Sequence, residues 1–71
     1  MFIVHRILNS HGDKDYLCGW DRKWGTVCSS KIYVAMYFSS IGDARAAANK
    51  AQSLVPSFIN GKLIAWGITS L

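Results

Sequence analysis

Between Ser40 and Pro56 the chain favours one kind of element, and the side chains on its inner face decide what it can lie against. Ile41, Ala44, Ala47, Ala48, Ala51, Leu54 and Val55 recur at three- and four-residue steps, which puts them on one face of an α-helix. Arg45, Asn49, Lys50, Gln52 and Ser53 fall elsewhere around it. Ser40, with Asp43 three residues on, has the form of an N-terminal cap, and the Asp43 carboxylate meets the positive end of the helix dipole. Pro56 stops the helix because it has no N–H to donate and its ring clashes with the preceding turn. A face made mostly of alanine lets a helix backbone come close to a sheet. The rest of the chain is therefore expected to supply a sheet.

Residues 2–8, Phe-Ile-Val-His-Arg-Ile-Leu, are rich in β-branched and large apolar side chains and read as a first strand. Phe2, Val4 and Leu8 share one face with Arg6, while Ile3 and Ile7 share the other with His5. Apolar residues on both faces point to a central strand or one covered on both sides. The polar run 9–15 reads as a loop, followed by strands at 16–20 and 25–28. Residues 31–38 stay open between a strand, favoured by Ile, Tyr, Val and Phe, and a turn or two of helix through Ile32 to Met36. Asn60-Gly61 marks a tight turn, and residues 62–68 read as a last strand. The order β-β-β-α-β predicts an α+β fold in a single domain over residues 1–71. Its small antiparallel sheet has three to four strands, with one helix packed on one face.

Size then limits what that fold can hide. The chain has 71 residues, 51% of them hydrophobic and only 17% charged, a composition that excludes a disordered tail. A domain of this length buries only about 60% of the surface its unfolded chain exposes. More apolar side chain is present than so small a core can cover, so part of it is expected at an interface with a partner or a second copy. The longest apolar run, residues 32–38, falls far short of the ~20 needed to cross a bilayer. His5 and Arg6 interrupt residues 2–8, which rules against a secretory signal there. A cytoplasmic protein with no membrane role is expected, with Cys18 and Cys28 reduced.

Neither catalysis nor metal binding has a motif to stand on. The titratable groups available are His5, His11, Cys18, Cys28, Asp13, Asp15, Asp21 and Asp43, and the chain contains no glutamate. His11, Asp13 and Asp15 are the nearest approach to an acid–base cluster, yet their spacing matches no acid–base mechanism. Structural zinc sites bring ligands in close pairs such as Cys-x2-Cys, and nothing here does so. The glycines are dispersed, with no Gly-x-Gly or Walker pattern to cradle a phosphate. The expectation is a protein that is not an enzyme and has no cofactor and no metal.

The binding chemistry is concentrated in Cys18-Gly19-Trp20-Asp21-Arg22-Lys23-Trp24-Gly25-Thr26-Val27-Cys28. Folded as a hairpin about Lys23, this segment sets Cys18 opposite Cys28 and lets Trp20 and Trp24 flank a charged tip. The two cysteines are then close enough to bridge on oxidation. Tryptophan and arginine often dominate the energy of protein interfaces. Trp20, Arg22, Lys23 and Trp24 are accordingly the candidate partner-binding residues, with shielding of the sheet edge as the structural alternative for the tryptophans. Trp66 is expected in the core. The same four residues could stack on unpaired bases and meet phosphates. The net charge of +4 is scattered along the chain, however, and Arg22-Lys23 is the one dipeptide of like charge. A third possibility is an oligomeric structural subunit, in which the free sheet face pairs with itself as a homodimer.

An N-terminal strand, an aromatic Gly-Trp turn, and then Phe38-Ser39-Ser40-Ile41-Gly42-Asp43-Ala44-Arg45-Ala46-Ala47-Ala48 before a closing strand resembles many short bacteriophage and prophage accessory proteins. The pattern covers most of the chain, although Ile41-Gly42-Asp43 replaces the usual acidic pair after the cap. The resemblance implies a role rather than a set of residues. Such proteins often bind a host enzyme or a defence complex stoichiometrically, inhibitors of CRISPR effectors among them. The partner it implies is a host protein or ribonucleoprotein complex in the bacterial cytoplasm.

Overall fold

A computed structural model describes residues 1–71. Strands β1 (Phe2–Ile7), β2 (Lys14–Asp21) and β3 (Gly25–Ser29) precede the helix α1 (Ile41–Leu54). Strands β4 (Ser57–Ile59), β5 (Lys62–Ile64) and β6 (Gly67–Ser70) follow it. The main sheet is antiparallel in the order β3-β2-β1-β6, and β4 and β5 form a separate hairpin. The expected α+β class with one helix on a small antiparallel sheet is thus the observed one. The first strand is central, as its two apolar faces require.

The helix begins where its cap says. The Ser40 hydroxyl accepts a hydrogen bond from the Asp43 N–H at 3.1 Å, an arrangement worth about 1 kcal/mol. Ala44, Ala47, Ala48 and Ala51 are buried against the sheet with Val4, Leu17 and Trp66. The two ends of the expected apolar face depart from that pattern. Ile41 and Leu54 are half exposed, because the helix overhangs its thin alanine contact at both ends. Trp66 is 5% exposed, as expected of a core residue. Its indole N–H donates to Val55 O at 2.9 Å, satisfying a carbonyl that the helix end leaves free. The Arg6 guanidinium lies 5.4 Å from the Trp66 ring and forms a two-bond pair with Asp15, both at 2.8 Å.

Three local readings are corrected or resolved. First, the last strand is broken. Residues 62–68 split into β5 and the start of β6, because the chain turns at Ala65-Trp66 to send Trp66 under the helix. Pro56 is followed directly by β4, which pairs with β5 across the Asn60-Gly61 turn. Asn60 and Gly61 both take positive φ there, the requirement of a tight hairpin turn. Second, residues 31–38, open between a strand and a turn or two of helix, begin with one helical turn and end on a single β-bridge. A 3₁₀ turn at Ile32–Val34 leads into an extended segment where β1 and β2 diverge. Phe38 exchanges both backbone hydrogen bonds with Phe2, at 2.8 and 2.9 Å, and the Met36 N–H donates to Leu17 O at 2.9 Å. The segment fills the gap between the two strands.

The third concerns β2. Cys18 does not face Cys28: Leu17 does, and Gly19 then pairs with Val27, so Cys18 is the extra residue of a β-bulge. The bulge shifts the side-chain parity of the strand. Leu17 and Trp20, three residues apart, consequently both face the helix. In a regular strand Trp20 would point to the opposite face.

That opposite face carries Ile3, His5, Ile7, Tyr16 and Thr69. The His5 ring covers Gly67, where a Cβ would stand 2.5 Å from Nε2, and Nδ1 is 2.7 Å from Thr69 Oγ1. Burial chiefly, with help from the nearby Lys14 charge, pushes the His5 pKa below its usual value. The unfolded chain therefore takes up a proton on this side chain before the folded one does. The contribution of neutral His5 is complete above the unfolded pKa of about 6.5 and is lost as pH falls through and below it. The melting temperature is expected to drop between pH 7.5 and 5.5, and His5→Leu should flatten that slope. An unchanged slope in the variant would show that the dependence arises elsewhere.

Candidate functional site

The β2–β3 hairpin holds its tip by a short set of bonds that starts at Asp21. One carboxylate oxygen accepts from the Lys23 N–H at 3.0 Å and from the Trp24 N–H at 2.6 Å, a side chain standing in for a backbone turn. Gly25 follows at φ +83°, a conformation that side-chain-bearing residues rarely adopt. A Cβ there would meet Val55 Cγ2 at 3.1 Å and Leu54 Cβ at 3.2 Å. The tip is thus tied by its own aspartate and seated against the end of α1.

The four candidate residues part company on this frame. Trp24 is 71% exposed, with the Lys23 ammonium 5.1 Å from its ring. Arg22 and Lys23 are exposed beside it. Trp20 lies on the helix side of the sheet, packed against the core and covered by Lys50, whose ammonium is 4.3 Å from the ring. The bulge at Cys18 accounts for this separation. Leu54, half exposed and next to Gly25, adds apolar surface beside the tip.

The sequence reading missed a second exposed pair, Phe58 and Leu63, which face each other across the β4–β5 hairpin. The signal was present: counting outward from Asn60-Gly61 pairs Ile59 with Lys62 and then Phe58 with Leu63. In all, thirteen large apolar side chains are exposed against nine buried apolar residues, four of which are helix alanines.

Three of the four aspartates are engaged by local hydrogen bonds. Asp13 accepts from Asn9 Nδ2 at 2.8 Å, Asp15 is paired with Arg6, Asp21 holds the hairpin turn, and Asp43 sits in the first turn of α1. No group of three or more His, Cys, Asp or Glu side chains converges as metal ligands would. Both cysteines are free thiols. Cys18 Sγ donates to Tyr16 O at 3.4 Å and Cys28 Sγ to Thr26 Oγ1 at 3.8 Å. Burial above all pushes both thiols above their usual pKa, and the negative charge of Asp15 adds to the effect. These are poor nucleophiles.

No known protein family, curated protein or solved structure matches this chain. No helix is long and apolar enough to cross a membrane.

Two outcomes are expected at this site. Trp20→Ala should cost about 2 kcal/mol or more in urea unfolding, approaching the ~3–5 kcal/mol of a fully buried aromatic. Trp24→Ala should stay within about 0.5 kcal/mol of the parent. Equal losses would show that the tip tryptophan is structural. Iodoacetamide at pH 7.5 should modify Cys18 and Cys28 more slowly in the folded protein than in urea, as read by mass spectrometry. Equal rates would contradict the shielding of the thiols.

Proposed function

We propose that this is a binding protein, not an enzyme, which inhibits a bacterial host enzyme or defence complex by occupying part of its surface stoichiometrically. The observation that carries this reading is Trp24, a large aromatic at 71% exposure on a tip whose backbone is tied to the Asp21 carboxylate. Presenting an aromatic on a tied backbone lowers the entropy lost on association. Tryptophan next to arginine is also the usual chemistry of an energetic interface centre. The bacterial cytoplasm and the inhibitory role rest on the resemblance to phage accessory proteins. The engagement of Asp13, Asp15 and Asp21 in local hydrogen bonds supports a role without catalysis.

Protein is favoured over nucleic acid as the partner by the distribution of the cations. Arg6 is paired with Asp15, and the exposed positive charges near the tip are Arg22, Lys23 and Lys50, the last lying over Trp20. Three charges make a short phosphate track, whereas nucleic-acid binding draws most of its strength from many such contacts.

The test is capture from nuclease-treated bacterial lysate at moderate salt, with the parent protein and Trp24→Ala immobilised in parallel and bound chains identified by mass spectrometry. One stoichiometric protein held by the parent and lost by the variant is expected. Equal capture by both would remove the tip from the interface. Recovery of nucleic acid alone, and only without nuclease, would replace the proposal with a nucleic-acid role. A stable dimer in light scattering whose formation hides Trp24 from a fluorescence quencher would replace it with self-assembly.

A further inference from the structure

At the edge of the sheet far from the hairpin, strand β6 has one neighbour only, β1. Which of its backbone groups are free follows from the register. Phe2 exchanges its hydrogen bonds with Phe38, so its N–H and C=O point away from β6, and Phe2–Ser70 is a pair without mutual bonds. Bonding direction alternates along an antiparallel strand. Ile3 and His5 therefore face Thr69 and Gly67, while the N–H and C=O groups of Ile68 and Ser70 point out of the sheet. Neither residue makes a backbone hydrogen bond to any segment beyond the ladder.

Beside this edge lies a groove of about 320 Å³ between β6 and α1. Ile68, Ser70 and Phe2 line the sheet side, and Ile41, Arg45 and Asn49 line the helix side. The last three stand four residues apart, in one row along the helix, about 6.0 Å per step. Alternate side chains of a β-strand are about 6.6 Å apart. The two repeats are close in length, so an added strand whose axis follows the row would present alternate side chains to successive members of it. The row is apolar, then cationic, then amide. Arg45 is exposed and has no hydrogen bond and no ion pair, and no acidic side chain lines the groove.

We propose that this groove takes an extended peptide segment of a partner protein, added as a fifth strand at β6, with an acidic side chain on Arg45 and an apolar one two positions away on Ile41. The main-chain bonds come from Ile68 and Ser70, and the groove supplies the sequence preference, the division of labour common to strand addition. Charge complementarity selects the acidic segment over a second copy of this chain. Self-pairing through β6 would bring two unpaired Arg45 side chains and two +4 chains together. The surface is on the opposite sheet edge from the β2–β3 hairpin, and it stands whether or not Trp24 contacts a partner.

The test is selection of a random displayed peptide library on the folded protein, followed by hydrogen exchange with a synthetic copy of the selected peptide. Selected sequences should carry Asp or Glu two positions from an apolar residue, and the peptide should slow exchange at Ile68 and Ser70. Arg45→Glu should weaken that peptide about tenfold or more, the loss of a charge-assisted bond, and should shift selection toward Lys and Arg. Ser70→Pro removes an outward N–H without breaking a bond to β1. It should abolish binding while circular dichroism stays unchanged, because proline is tolerated on the open side of an edge strand. Trp24→Ala should leave the affinity as it was. Selection without an acidic preference, protection confined to other residues, full binding by Ser70→Pro, or a dimer in light scattering that protects Ile68 and Ser70 without peptide would each overturn the assignment.

Discussion

Four alanines set the distance between α1 and the sheet, and the rest of the molecule adjusts to that distance. A side chain of one carbon lets the helix backbone settle low over β1 and β6, but it leaves little room between the layers. Val4, Leu17 and Trp66 fill what room there is. Larger groups are pushed to the rim: Trp20 under Lys50 at one side, Met36 and Phe38 at another, Val55 at the helix end. Beyond the rim the helix ends overhang, and the β4–β5 hairpin meets the main sheet through Ser57 Oγ, which donates to Ile7 O at 3.4 Å. The thin core and the abundant exposed apolar surface have one cause.

The fold was legible in the sequence where local rules and burial agreed. The Ser40 cap, the alanine steps and Pro56 bound the helix within a residue of its observed limits, and the two apolar faces of residues 2–7 marked the central strand. Reading failed where tertiary placement overrode local pattern. Residues 62–68 look like one strand because nothing in their composition says that Trp66 must leave it to reach the helix. The Ile, Tyr, Val and Phe of residues 32–38 have strand chemistry, yet the segment is held by two neighbours that diverge, a relation no single segment encodes.

The candidate site shows the same division. The hairpin tip, its charge and its outward Trp24 were readable from the spacing of Trp20, Asp21, Arg22, Lys23, Trp24 and Gly25. The inward turn of Trp20 was not, because it depends on one extra residue at Cys18. A cysteine at that position has no feature that announces a bulge. The expected facing of Cys18 and Cys28 came from counting symmetrically about Lys23, and a bulge on one strand alone breaks that count.

The placement of β1 also has a consequence for how the chain reaches this state. The first strand made is a central one, and its pairing with β6 joins Phe2 to Ser70, almost the full span of the sequence. The hairpin of β2 and β3 can close on itself early, as local contacts do. The sheet cannot be completed until residues 67–70 have emerged and found β1. Closing so large a loop carries its entropy cost before the contact rewards it. Until then Ile3 and Val4, fully buried in the finished fold, sit beside an unfilled pairing edge. Completion of the sheet therefore waits on the meeting of β1 and β6, and until they meet the open side of β1 is an edge on which another strand could pair.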